Sequence, residues 1–139
     1  MLRAVLDANV YISAIIQPGG TPGKVLERFL SAASFHLVIS PQIVDEVLRA
    51  LAYPKVRKVL HGVDAQLWFE DIVVLADLVA GAHEISRVSR DPDDDKYLAA
   101  AVEGRATHVV TGDQDLLSVG RFEDVEVVTP RAFLSLLGQ

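Results

Sequence analysis

The run "LRAVLDANV" (residues 2–10) decides how the chain is read. Apart from Arg3 it is apolar up to Leu6, then stops at Asp7 and continues with polar Asn9. A short apolar run of this kind has the length of a strand buried on both faces, and such strands belong to parallel sheets. A carboxylate placed directly after it is either the N-cap of a following helix or a group held at the sheet's edge for chemistry. The residues that come after the other strands decide between the two.

Working outward, "GKVLERFLSA" (23–32) has helical spacing, and "FHLVIS" (35–40) reads as a second buried strand stopped by Pro41. "PQIVDEVLRALA" (41–52) starts a helix with proline in its first turn, and "PKVRKVLHG" (54–62) predicts a short helix closed by Gly62. "DAQLWFEDIVVLADLVAG" (64–81) predicts a long helix from an Asp64 cap to Gly81, followed by a short strand, "HEIS" (83–86). A helix over 92–104, strands in "THVVTG" (107–112) and "DVEVVT" (124–129), and a closing helix, "PRAFLSLLG" (130–138), complete the alternation. Strands alternating with helices predict an α/β fold: a three-layer sandwich whose central parallel sheet is covered by helices on both faces, with right-handed crossovers. The expected organisation is a single domain over residues 1–139.

Half the residues are hydrophobic, enough for a sizeable core, and the absence of cysteine excludes disulfides and thiolate metal sites. A reducing, cytoplasmic setting is the matching expectation. The apolar start is broken by Arg3 and Asp7, unlike a signal peptide. The most apolar segment, residues 67–81, carries Glu70, Asp71 and Asp77 and is too short and too charged to span a bilayer, so no membrane partner is expected. A net charge of −6 argues against unaided, non-specific nucleic-acid binding, but bound cations at an acidic site would reverse the local sign.

In open parallel sheets, ligands bind beyond the carboxyl ends of the strands. Here that edge collects acids. Asp7 and Asn9 follow the first strand; Ser40 follows the second, with Asp45 and Glu46 one turn into the next helix; Asp113 and Asp115 follow "HVVT". On a helix starting at Pro41, Glu46 borders the apolar face of Ile43, Val47 and Ala50, whereas Asp45 lies roughly opposite, so Glu46 is the inward acid. The segment "SRDPDDDKYLAAAVEG" (89–104) packs Asp91, Asp93, Asp94 and Asp95 ahead of an apolar helix. Asp91 suits an N-cap, Pro92 the first helical position and Asp94 a capping-box acid. Asp95 shares a face with Leu98, Ala99 and Val102, so it is the one expected to serve a site. Two unit charges about 4 Å apart repel by roughly 4 kcal/mol at an effective dielectric near 20, so clustered carboxylates must take up protons or cations. Oxygen-only donors favour a hard ion, Mg²⁺ or Mn²⁺. His36, His61, His83 and His108 lie at strand starts or in a loop and read as structural.

The ordered set, Asp7 in "LDANV", Glu46 in "SPQIVDEV", Asp95 in "DKYLAAAV" and the late "TGDQDLL", closely resembles the PIN-domain family over nearly the whole chain. It is most similar to prokaryotic members that are toxins of toxin–antitoxin pairs. The resemblance implies a metal-dependent ribonuclease that hydrolyses single-stranded RNA, with an antitoxin protein as partner. It matches Asp7, Glu46 and Asp95 to the three core acids and Asp113 to the fourth, with Asn9 and Thr111 as supporting polar residues. Two departures stand out: "TGDQDLL" offers both Asp113 and Asp115 where many relatives have a longer spacer ending in an acid and an aromatic, and Asp93 and Asp94 precede the third motif. Arg49, Lys55, Arg57 and Lys58 form a basic stretch that either tracks an RNA backbone or is a solvated helical face. Trp68 and Phe69 are adjacent on one helix and cannot both enter one core, which predicts that one of them meets a second subunit or another protein. Two rivals remain at this level. A haloacid-dehalogenase-like phosphatase would also carry an aspartate after its first strand, but has Asn9 where its second acid should stand. A non-catalytic metal-holding or partner-binding module of the same fold is the other.

Overall fold

The computed structural model describes residues 1–138. In chain order the elements are β1 (Arg3–Leu6), α1 (Ala8–Ile16), α2 (Thr21–Ala32), β2 (His36–Ile39), α3 (Pro41–Leu51), α4 (Pro54–Leu60), α5 (Ala65–Leu75), β3 (Asp77–Leu78), a 3₁₀ turn (Pro92–Asp94), α6 (Asp95–Glu103), β4 (His108–Val110), α7 (Gln114–Leu117), β5 (Arg121–Phe122), β6 (Val125–Val128) and α8 (Pro130–Leu137). They form a six-stranded sheet in the order β3-β2-β1-β4-β6-β5. All pairings are parallel except β5 with β6, an antiparallel edge hairpin that departs from the all-parallel expectation. The sheet is therefore mixed, mainly parallel and flanked by helices. Consecutive residues Ala4, Val5 and Leu6 are all fully buried, as are Val38 and Ile39, so both faces of the central strands are covered.

One local device recurs at the strand ends. The residue after the strand caps the next helix through its side chain: Asp7 caps α1, Ser40 caps α3 and Thr129 caps α8, while Asp113, three residues beyond β4, caps α7. Each cap turns the chain sharply, so several helix N-termini gather at the carboxyl edge of the sheet. The strands leave β1 in both directions, to β2 and β3 on one side and to β4 and β6 on the other. That reversal is the crevice where ligands enter such sheets. Behind it, Gly104 ends α6 tightly against β2: a Cβ there would run into a Val38 methyl, and its carbonyl accepts from Arg3.

The region 64–86 differs from expectation. The helix ends at Leu75, and the strand is Asp77–Leu78, paired with Val38 and Ile39, rather than residues 83–86. The edge of β2 needs a partner, and Asp77 is drawn there by an ion pair with Arg3 at 2.7 Å. Residues 81–83 need no strand, because the Glu103 carboxylate accepts their three backbone N–H groups at 3.0–3.2 Å. Trp68 and Phe69 part company as adjacent helical residues must. Phe69 is fully buried edge-on against Tyr11, but Trp68 is half-buried and also packs on the chain's own core. The apolar side chains this segment leaves exposed are Leu67, Val74, Leu75 and Leu78. Among the described residues no helix is long and apolar enough to cross a membrane.

Candidate active site at the carboxyl edge of the sheet

Asp7 stands where β1 ends, 4% exposed. Its Oδ1 accepts the backbone N–H of Asn9 at 3.1 Å, and its Oδ2 accepts the hydroxyl of fully buried Thr111 at 2.6 Å. Asp7 is thus both a helix cap and an edge acid; the two readings of the first strand's aspartate coexist. Burial pushes its pKa up, opposed by Thr111 and the Asn9 N–H and reinforced by the charges of Glu46 and Asp113; the net shift is upward. The support from Asn9 comes from its main chain; its side chain is exposed. Thr111 joins two acids, since its Oγ1 also accepts the N–H of Asp113 at 3.0 Å. Asp113 Oδ1 takes the N–H of Asp115 at 2.9 Å.

Asp94, read from sequence as a helix starter, stands with these acids. It is buried, and its Oδ2 has no hydrogen-bond partner. Burial and the neighbouring Asp113 carboxylate, with further repulsion from Asp91 and Asp7, push its pKa up to about 7. Asp95 is also buried, but its carboxylate is committed elsewhere: Oδ1 accepts from Ser89 N–H at 2.7 Å and Oδ2 from Val88 N–H at 3.4 Å. The expectation for this pair changes because residues 92–94 form a 3₁₀ turn and the α-helix begins only at Asp95. Asp95 keeps the inward face that it shares with Leu98 and Ala99 in α6, whereas Asp94, in the turn ahead of the helix, is buried beside Asp113 and Asp7.

Glu46, on α3, lies close enough to Asp7 to act on its charge. Its Oε1 accepts from the Tyr97 hydroxyl and from Lys96 Nζ, the latter at 2.9 Å. The Tyr97 hydroxyl in turn accepts the N–H of Ala8 at 3.2 Å, linking α6 to the start of α1. Burial and the charge of Asp7 keep that phenol protonated. Asp45 is exposed and paired with Arg49 at 3.4 Å. Lys96 and Tyr97 were not singled out in the sequence; their signal was that they come directly after the acids in "DDDKY".

The remaining candidates fall outside this cluster. The Asp115 carboxylate is half-exposed, 3.8 Å from Arg90. Ser40 is buried as the α3 cap, accepting from Ile43 N–H at 3.3 Å. Lys55, Arg57 and Lys58 are exposed on α4, which packs on α1 and α3.

Among the described residues, no three histidine, aspartate or glutamate side chains close on one point tightly enough to hold an ion as they stand. The donor chemistry nonetheless fits a hard cation. The facing groups are all carboxylates, the pKa values of Asp7 and Asp94 are raised by burial and by neighbouring acids, and one buried oxygen, Asp94 Oδ2, has nothing to bind. Beside Lys96, between α6 and residues 81–86, opens a cavity of about 520 Å³.

The fold has known counterparts. The family model of the PIN domain matches residues 3–115, a span that contains Asp7, Glu46, Asp94 and Asp113. The uncharacterized protein MJ1680 of Methanocaldococcus jannaschii is 32% identical over 142 residues, covering 96% of this chain and 90% of that protein. The crystal structure of VapBC2 from Rickettsia felis, bound to a DNA fragment from their promoter, contains a chain that superposes with a TM-score of 0.61 at 13% identity, covering 92% of this chain and 98% of that one. By its sequence match, and with a fold to suit, this chain belongs to the PIN-domain family.

Proposed function

We propose that the protein is a Mg²⁺- or Mn²⁺-dependent endoribonuclease that hydrolyses phosphodiester bonds of single-stranded RNA, acting as the toxin of a toxin–antitoxin pair. PIN domains are in general nucleases, which supports hydrolysis of a phosphodiester as the reaction class. The observation that carries the reading is the mutual repulsion of Asp7, Asp94 and Asp113 at the crevice beside β1, with Asp94 Oδ2 unpartnered. Asp7, Asp94 and Asp113 would hold the ion, with Glu46 alongside. When bound, it would supply an acidified water and neutralise charge at the phosphate. The chain's own part is positioning. Thr111 fixes Asp7 relative to Asp113, the α7 N-terminus orients Asp113, and Tyr97 ties Glu46 to the start of α1. Burial and the Asp113 carboxylate push the pKa of Asp94 up, so a proton and a cation would compete for its carboxylate.

Three partners accompany this reading: single-stranded RNA, an antitoxin protein, and a second copy of the chain. The structural likeness to a VapBC2 chain supports the second. The exposed apolar side chains Leu67, Val74, Leu75 and Leu78 support a protein interface along α5 and β3. The exposed bases of α4 are the surface for the RNA backbone. The same fold as a non-catalytic binder would share these surfaces, so the deciding experiment is chemical. Wild type and Asp7→Asn are compared for cleavage of single-stranded RNA and for melting temperature, each with Mg²⁺, Mn²⁺ or a chelator. Asp7→Asn should abolish cleavage yet melt no lower than wild type in chelator, and Mg²⁺ should raise the wild-type melting temperature more. If neither ion shifts the wild type and no RNA is cut, the nuclease reading fails.

A further inference from the structure

Glu46 differs from the other acids of the crevice in one respect: it already has a cation. Lys96 Nζ stands 2.9 Å from Glu46 Oε1, and the same oxygen receives the Tyr97 hydroxyl. The ammonium is held in place by its own surroundings, with the side chain 22% exposed and Nζ 5.3 Å from the Tyr97 ring centroid. None of Asp7, Asp94 or Asp113 has a basic partner among the described residues. Asp7 relies on a hydroxyl and an N–H, Asp113 on an N–H, and one oxygen of Asp94 on nothing. Uncompensated negative charge is thus confined to three carboxylates on one side, while the fourth is neutralised. A second divalent ion at Glu46 would meet the ammonium's like charge, held 2.9 Å from Oε1. Lys96 also lines the 520 Å³ cavity, where it faces Glu84 and the Asp95 and Glu103 carboxylates already bound to backbone N–H groups, and an ammonium has three donors, of which Glu46 takes one.

We propose that Lys96 is the site's second cation. It neutralises Glu46, so that the crevice takes one divalent ion at Asp7, Asp94 and Asp113 rather than two, and it meets a non-bridging oxygen of the RNA phosphate entering from the cavity side. This rests on the metal-dependent nuclease reading and deepens it, by assigning to a side chain the charge that a two-metal site assigns to its second ion.

The test counts ions. The full chain is titrated with Mn²⁺, bound ions being measured by calorimetry and free Mn²⁺ by electron paramagnetic resonance. Single-turnover RNA cleavage is then measured against Mg²⁺ concentration. Wild type should bind one Mn²⁺ per chain and show hyperbolic dependence on Mg²⁺. Lys96→Met should bind two, cleave about 10²-fold more slowly at low Mg²⁺, and recover along a sigmoidal curve as a second ion replaces the lost charge. Lys96→Arg should stay at one. A lysine that only braces the fold would leave the ion count unchanged. Two ions per wild-type chain, or a Lys96→Met chain still at one ion with a hyperbolic curve, overturns the proposal while leaving the nuclease reading intact. No bound ion in wild type overturns that reading itself. If Lys96→Met does not fold, Lys96→Gln is read by the same criteria.

Discussion

Asp94 and Asp95 are adjacent in the chain and both buried, yet one carboxylate faces other acids and the other faces two backbone N–H groups. Charge-assisted hydrogen bonds to N–H satisfy Asp95, whereas Asp94 has only repulsion until it gains a proton or a cation. Substitutions should therefore separate them. Asp94→Asn should weaken Mn²⁺ binding about 10–100-fold, on the scale seen when a ligand environment is disturbed, with no loss of melting temperature in chelator. Asp95→Ala should leave the buried Ser89 N–H and the half-exposed Val88 N–H unpaired, destabilising the protein by about 1–3 kcal/mol. The measurement is chelator-buffered thermal melting paired with Mn²⁺ titration. An Asp95→Ala chain that keeps its stability but loses the metal would reverse the assignment. Thr111 is the third residue to watch. Thr111→Val keeps the volume but unpairs Asp7 Oδ2 and the Asp113 N–H, and should lower both stability and metal affinity.

At the scale of elements, the segment between β3 and α6 is held by carboxylates rather than by a sheet. Glu103 accepts the N–H groups of Gly81, Ala82 and His83, and Asp95 accepts those of Val88 and Ser89, so both clamps belong to α6. This explains why "HEIS" is not a strand despite its composition: its neighbours' donors are already satisfied, and the β2 edge is taken by Asp77 and Leu78. Glu103→Ala should leave the sheet intact but speed amide hydrogen exchange at residues 81–83 by about tenfold or more, as expected when a local opening loses its hydrogen bonds. Unchanged exchange at these three amides would show that the clamp is not what orders the segment.

At the scale of the whole molecule, the acid cluster links folding to pH. Asp94 titrates near 7 in the folded chain against 3.8 for the free side chain, so the native state holds more protons between those values. The stability this gives is complete below about pH 4 and is lost as pH rises through about 7. In chelator, the melting temperature of Asp94→Asn minus that of wild type should grow as pH is raised from 4 to 7, and added Mg²⁺ should shrink the difference at pH 7 by stabilising only the wild type. A difference independent of pH would remove Asp94 from the cluster. The same scale holds the assembly test. If α5 and β3 form an interface, light scattering of the wild type should show a dimer, and Val74→Glu, at a position 82% exposed, should yield monomer without loss of melting temperature.

Much of this could be read in the linear chain because it rests on local rules. Apolar runs of strand length, prolines and cap residues marked most elements, and the alternation of types required a largely parallel sheet. The carboxyl edge of that sheet singles out Asp7, Glu46 and Asp113, each within about two helical turns of a strand's end, while Thr111 enters only through the family resemblance. Tertiary structure decided what periodicity cannot carry. Residues 64–86 have apolar spacing that suits helix and strand alike, and the choice fell to the unpaired edge of β2 and the reach of Arg3. That Asp94 as well as Asp95 is buried, and stands beside Asp113 and Asp7, was set by a 3₁₀ turn of three residues ahead of α6, which no apolar spacing marks. The pairing of Lys96 with Glu46 joins residues 50 positions apart through the packing of α6 on the sheet beside α3, a distance relation that no spacing in one chain records.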